Sequence, residues 1–296
     1  MSHEHHTSEL TNPCLRSVKL KLDGKLQGRC TSALYSGLLF HEVATRLHRL
    51  PDGLDLSLPQ LTLTVAESST AVMLGVQNEN RPVSDAVNAN RGDLVAEVIA
   101  WAIGYCNRFR EFFRTCKIIG TELPCRMTID VDGEPAEFAS HLDLLFRDQH
   151  GNLRLWDWKT GEDSPTFAYL SRNMQFGMYD QVLKSGSVKI GDDWVEFGEP
   201  ATLFWVQVRD LMPYSKKTTV GDTTYVKGDL RPDTAILRPI QIANDQAVLD
   251  EFALRVRMSR ADIWPANPDK IGCSLCESQR WCQTFTDTNG GSSDSF

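Results

Sequence analysis

Apolar and polar residues alternate with a period of two over Phe138–Arg147 and again over Leu153–Lys159, on either side of the polar run Asp148–Asn152. This predicts two strands joined by a short turn. Past Lys159-Thr160-Gly161 the period becomes helical and places Gln175 and Tyr179 four residues apart on one face. Upstream, Leu34–Leu50 and Ser84–Lys117 read as helices, the second kinked or divided at Gly92 or Gly104. Residues 51–83 carry Pro, Asp, Gly and Ser and one alternating run, Leu61–Val65, so they are expected as loop with a little strand. Together, 51–116 is expected to be a helical or cap insertion. Ile118–Val131 predicts the first strand of the core sheet, irregular at Pro124 and turning at Asp132-Gly133.

The flanking segments add less. Ser17–Leu22 is strand-like and Ala201–Arg209 reads as a buried strand. Thr223–Lys227 and Ile236–Ile240 are expected to form a further hairpin. Asn244 or Asp245 would cap a helix that Pro265 and Pro268 end. With no internal repeat and no strong linker, one integrated α/β domain over residues 8–285 is expected: a mixed sheet flanked by helices, with disordered tails at 1–7 and 286–296.

Composition narrows the class. The 296 residues are 41% hydrophobic and 24% charged, an ordinary globular balance. No apolar run is long enough to span a bilayer and no signal peptide is recognisable, so a cytoplasmic protein is expected. A net charge of −8 argues against a chain coated in nucleic acid but leaves room for a local basic groove. Arg108, Arg110, Arg114 and Lys117 form one candidate patch and Lys216-Lys217 another; a solvated face is the plainer reading of each. Tyr105 and the neighbouring arginines are candidates to line a channel for single strands.

The chemistry centres on the strand pair. With a five-residue loop at 148–152, Arg147 faces Leu153, and counting outward sets Asp143 opposite Asp157. Opposed residues share a face, with Cβ atoms about 4.5–5.5 Å apart; Lys159, two residues on, shares it too. Two close carboxylates repel unless a cation or proton intervenes, and a hard divalent ion such as magnesium suits them. A lysine beside them can orient water or offset charge on a phosphate. A surface hairpin with an Asp–Lys pair is the plain alternative, since Asp-x-Lys alone is a frequent match. Glu134 and Glu137 read as turn and strand-edge residues, Glu137 with a weak claim to an additional metal contact. His41, amid the apolar stripe of its helix, reads first as a core histidine.

Ser140-His141-Leu142-Asp143, Asp157-Trp158-Lys159-Thr160-Gly161 and Gln175-x-x-x-Tyr179, taken in order, resemble the RecB-like branch of the PD-(D/E)xK nuclease superfamily. Gly37-Leu38-Leu39-Phe40-His41-Glu42 resembles the Gly-x-x-x-His motif that precedes the hairpin in that branch. Ser140 departs from the pattern, standing where many relatives carry glycine. The resemblance implies a restriction-endonuclease-like fold and a Mg²⁺- or Mn²⁺-dependent deoxyribonuclease, expected to be an exonuclease on single-stranded or unwound ends. It also implies roles: His41, Asp143, Asp157 and the backbone carbonyl of Trp158 as metal ligands, Lys159 as the catalytic lysine, and Gln175 and Tyr179 beside the site. DNA would be the partner, with a helicase or a recombination or CRISPR-adaptation protein alongside. A structure-specific or nicking endonuclease is the rival enzyme, and a non-catalytic DNA-binding or assembly subunit the rival of another class.

Eight cysteines in an acidic chain without a leader suggest reduced thiols or metal ligation. Cys273-x-x-Cys276-x-x-x-x-x-Cys282 supplies three thiolates, one short of a closed site, and zinc is the default from spacing. The tail also resembles the four-cysteine RecB-like nucleases (the AddB C-terminal and CRISPR-associated exonuclease type). This likeness implies a [4Fe–4S] cluster stapling the N- and C-terminal segments. Cys14 and Cys30 compete for the fourth place, and Cys14 better resembles the family's entry. Cys106, Cys116 and Cys125 read as ordinary half-buried thiols.

Overall fold

The computed structural model describes residues 29–161, 165–220 and 222–263. Its helices of more than one turn are α1 (Ser32–Arg49), α2 (Leu58–Asn78), α3 (Asp85–Phe113), α4 (Met174–Ser185) and α5 (Asp245–Arg260). Its strands are β1 (Lys117–Val131), β2 (Glu134–Arg147), β3 (Leu153–Lys159), β4 (Ser187–Ile190), β5 (Asp193–Val195), β6 (Thr202–Gln207), β7 (Thr218–Val220), β8 (Thr223–Tyr225) and β9 (Leu237–Ile240). Seven strands make one sheet in the order β5-β4-β1-β2-β3-β6-β9, antiparallel except where β6 runs parallel to β3. Helices cover both faces, and the mixed α/β architecture expected from the sequence is the one observed. Among the described residues, no helix is long and apolar enough to cross a membrane.

Turns set the register. Asp132 (φ 60°) and Gly133 (φ 83°) both take the left-handed conformation that a tight two-residue hairpin demands, and Val131 pairs with Glu134. The β2–β3 loop is built on Asp148, whose Oδ1 accepts the amides of His150 and Asn152 at 2.9 and 3.0 Å. Arg154 closes the loop by donating to Asp148 Oδ2. Arg147 therefore pairs with Leu153, and the ladder runs inward to Leu144 and Trp156.

The two apolar cores lie on opposite faces of the sheet. Tyr35, Leu39, Phe40, Val43 and Leu47 of α1 pack with Trp101 and Tyr105 of α3 onto Leu144, Phe146, Trp156 and Trp158. Phe176, Tyr179 and Val182 of α4 and Phe252 of α5 pack with Leu142, Leu145 and Leu155 on the other. Each fully buried Leu or Phe contributes about 1.5–3 kcal/mol. Leu142 and Leu144 are two residues apart, yet they belong to different cores. The alternation of β2 is thus broken at Asp143.

Several expectations fail here. Residues 58–78 are helix, not loop with strand: Leu61 and Val65 are buried four apart while Leu63 between them is 60% exposed, a helical period. Ser57 and Gln60 form a capping box at its start. Thr223–Tyr225 pairs with β7, and β9 instead extends the sheet beyond β6, so no hairpin joins 223–227 to 236–240. The kink of α3 falls at Asn90 (φ −116°, ψ 16°), not at either glycine. Gly104 serves a close approach, because a Cβ there would stand 3.0 Å from Leu211 O.

Tyr105 is fully buried, its hydroxyl 2.8 Å from His48 Nε2, so it lines no channel. Arg108 donates to Asp233, and Arg114 to Asp55 and Glu111, which leaves this patch largely self-neutralised. Cys106 and Cys125 are fully buried rather than half-buried; burial pushes their thiols up to about 11 and about 12. Ser17–Leu22, Cys14, Cys273, Cys276, Cys282, both expected tails and the prolines after α5 lie outside the described residues.

Candidate active site

The break in β2 is where the candidate side chains meet. Across the β1–β2 hairpin, Thr121 pairs with Leu144 and Leu123 with Leu142, which leaves Glu122 and Asp143 facing each other between the two pairs. Glu122 has φ 48°, left-handed backbone inside a strand, a conformation costly for an L-residue. Asp143 and Asp157 face each other one step beyond the Leu144–Trp156 pair. Glu122, Asp143 and Asp157 thus form a carboxylate row across β1, β2 and β3.

α1 brings His41 to this row. Its Nδ1 lies 3.0 Å from Glu122 Oε1 and 3.7 Å from Asp143 Oδ2, and its Nε2 lies 3.0 Å from the Trp158 carbonyl oxygen. Each ring nitrogen faces an acceptor, and that arrangement suits an imidazolium. Burial alone would lower its pKa, but the Asp143 and Glu122 carboxylates outweigh burial and hold it at about 9. One ligand atom each from His41, Glu122 and Asp143 lies within 4.8 Å of the others.

Asp143 is buried and accepts the Trp158 amide at 2.7 Å. Burial first, and then the Asp157 carboxylate, pushes its pKa up to about 7. Asp157 is fully buried; its Oδ2 lies 2.6 Å from Lys159 Nζ, and its Oδ1 has no hydrogen-bond partner. Burial lowers the pKa of Lys159, but Asp157 and Asp143 outweigh it and leave the ammonium above its ordinary value. The rings of Trp205 and Phe176 flank Nζ, with centroids 5.8 and 6.0 Å away. Arg209 Nε donates to Thr160 O at 2.8 Å, and the Gln207 amide donates to Gly161 O, which pins the chain just beyond the lysine.

Helix α4 faces the same spot. Asn173 caps it, accepting the amides of Gln175 and Phe176. Gln175 Nε2 donates to the Tyr179 hydroxyl at 2.7 Å, and that hydroxyl lies 3.4 Å from Ser140 Oγ. Burial, with Asp157 and Asp143 nearby, raises the Tyr179 pKa well above its ordinary value.

His41, Asp143, the Trp158 carbonyl, Asp157 and Lys159 are therefore brought together, with Gln175 and Tyr179 alongside. The tight three-residue group holds Glu122 in place of Asp157, whose carboxylate turns to Lys159. Sequence reasoning missed Glu122. The signal was present: pairing Val131 with Glu134 across the Asp132-Gly133 turn and counting back sets Glu122 opposite Asp143. Glu137, the weaker candidate, pairs with Thr128 on an exposed stretch nearer the turn.

A hard divalent cation fits these donors. Three carboxylates, a backbone carbonyl and an imidazole suit magnesium or manganese. An unpartnered oxygen on a fully buried aspartate is an orphan that a cation would satisfy.

None of the curated proteins matches the chain. Ten chains of solved structures match it. One, described as "Crystal structure of SSO0001", is 12% identical with a TM-score of 0.41, covering 96% of this chain and 88% of that one. The model of the PD-(D/E)XK nuclease superfamily matches residues 12–283, and the chain belongs to that superfamily.

Proposed function

We propose that this superfamily member is a deoxyribonuclease of the RecB-like branch, an exonuclease on single-stranded or unwound DNA ends. Superfamily membership makes it a metal-dependent nuclease that hydrolyses phosphodiester bonds. The observation that supports the RecB-like assignment is the convergence of His41, the Glu122–Asp143–Asp157 row and Lys159 on one spot; the preference for free ends is taken from the sequence resemblance. All of the groups that a catalytic site of this type needs are present, which speaks against a non-catalytic DNA-binding or assembly subunit.

His41, Glu122, Asp143, Asp157 and the Trp158 carbonyl would hold Mg²⁺ or Mn²⁺. A divalent ion supplies Lewis-acid polarisation of the phosphate and a lowered pKa for the attacking water. Lys159, charged and braced by Asp157, would orient that water and offset the charge that builds on the phosphate oxygens. Asp143 is fixed by the Trp158 amide and so presents one oxygen in a constant direction. His41 must give up a proton to become a ligand, so metal uptake releases protons. The buried Tyr179 hydroxyl accepts the Gln175 amide and so fixes this half-buried side chain, which would contact the DNA backbone.

A [4Fe–4S] cluster held by Cys14, Cys273, Cys276 and Cys282 belongs to the same reading. The position of Cys30 supports Cys14 as the fourth ligand. Cys30 is fully buried in the α1–α3 core, its backbone tied to Pro82 and Ser84, and burial raises its thiol pKa. The proposal includes a cytoplasmic setting and a helicase, recombination or CRISPR-adaptation partner.

The test is digestion of end-labelled linear and covalently closed circular DNA, single- and double-stranded, with Mg²⁺, Mn²⁺ or EDTA. Release of short products from linear single strands, with circles spared, is expected. Equal attack on circles would make it an endonuclease. Binding without any cleavage would leave a DNA-binding subunit.

A further inference from the structure

Beside the site, on the side of His41 and Glu122, a cavity of about 500 Å³ lies between α1 and α2. That volume falls within the range of about 300–1,000 Å³ typical of ligand sites. Leu34 and Leu38 of α1 and Val72 and Val76 of α2 make its walls apolar. Two glycines shape it for different reasons. A Cβ on Gly37 would stand 3.0 Å from Thr160 Oγ1, so glycine lets α1 approach the end of β3. A Cβ on Gly75 would meet nothing within 4 Å, so the space beside it is left open by packing.

Charge says what the cavity would not take. Glu42 is paired with Arg46 at 2.7 Å and Glu79 with Arg81 at 2.8 Å, so among the described residues the wall beyond His41 offers a phosphate no cation that is not already paired. An uncharged, partly apolar group fits such walls. A phosphate would stay at the carboxylate row, where a cation would hold it.

Resting on the nuclease reading, we propose that this cleft receives one unpaired nucleobase with its sugar, adjacent to the phosphate at the His41–Glu122 end. A base still paired in a duplex cannot enter between two helices without leaving its stack. The cleft would thereby make the site selective for single strands. Apart from the His41 imidazole its described lining has no aromatic ring, so the base is held mainly by shape and apolar contact rather than by stacking.

Gly75→Leu fills the cleft from a helical position with open space and replaces glycine by a better helix former. Gly75→Ala is the control, and Val72→Phe fills the same space from one turn earlier should the leucine variant fail to fold. Short single-stranded oligonucleotides carrying 2-aminopurine at successive positions are titrated with the full-length protein in Ca²⁺, a hard cation for the carboxylate row, on a timescale over which the oligonucleotide stays intact. The parent and Gly75→Ala should change the fluorescence at one position. The filled variants should lose that change and bind at least about tenfold more weakly, the scale of a methylene-sized misfit in an apolar pocket. Filled variants that keep the signal and the affinity overturn the proposal, as does a parent signal equal at every position. A parent that gives the position-specific signal yet cleaves nothing with Mg²⁺ or Mn²⁺ sinks the nuclease reading alone. A parent that cleaves without the signal sinks the cleft alone.

Discussion

Glu122 carries two loads that mutation can separate, a carboxylate and a strained backbone. Its φ of 48° costs an L-residue about 1–2 kcal/mol, because Cβ crowds the following carbonyl oxygen. Glu122→Ala and Glu122→Gly both delete the carboxylate, so the difference between them reads the backbone. Glycine escapes the strain but adds freedom to the unfolded chain, which returns about 0.4–1 kcal/mol. The net expectation is that Glu122→Gly is more stable than Glu122→Ala by about 0.5–1 kcal/mol. In an ordinary strand the order is reversed by about the same amount. Urea unfolding of the metal-free proteins measures this as a midpoint higher in Gly than in Ala by roughly a few tenths molar, with unchanged m. Both variants should also lose Mn²⁺ affinity alike, by at least about tenfold, since each has lost the same oxygen donor. An alanine variant as stable as the glycine variant would show that residue 122 is unstrained in solution. Parent-like Mn²⁺ affinity in both would remove Glu122 from the metal site.

Asp157→Ala should abolish cleavage in end-labelled assays while DNA binding persists or tightens, because a repelling carboxylate leaves; digestion at the parent rate would end its catalytic assignment. Lys159→Ala should keep Mn²⁺ affinity and slow single-turnover cleavage by roughly 10²–10³-fold, and an unchanged rate would make the lysine a structural partner of Asp157. Burial pushes the His48 pKa down to about 3, so it folds neutral, and its contribution is lost as pH falls from the ordinary 6.5 towards 3. The parent should therefore lose urea stability relative to His48→Gln over that window, and a gap independent of pH would refute the buried neutral state. Cys14→Ala should lose the brown absorbance of anaerobically purified protein and Cys30→Ala should keep it; the opposite pattern would exchange the two ligands.

Much of the sheet was legible because its signals are local. The β2–β3 register followed from loop length, since Asp148 folds five residues into one turn and leaves Arg147 no partner but Leu153. The Asp132-Gly133 turn was read equally well, yet its register was not carried back the nine residues from Val131 to Glu122. The helix over 58–78 was misread because Leu61, Leu63 and Val65 match a period of two as well as one of four. Only burial against α1 and α3 decides between the two.

The sequence alone determined the strand–turn–strand unit with Asp143, Asp157 and Lys159 on one end, and the helical spacing of Gln175 and Tyr179. Near-neighbour sterics and turn hydrogen bonds suffice for both. Tertiary structure decided what meets that unit. His41 reaches Glu122 across 81 residues of chain, and it does so because α1 packs its apolar stripe on Trp158 and α3. Two cores pull Leu142 and Leu144 to opposite faces of the sheet, and the resulting break at Asp143 lets groups from both layers share one spot. No local period encodes that convergence, because it arises from the balance of burial on the two faces rather than from any residue's neighbours in the chain.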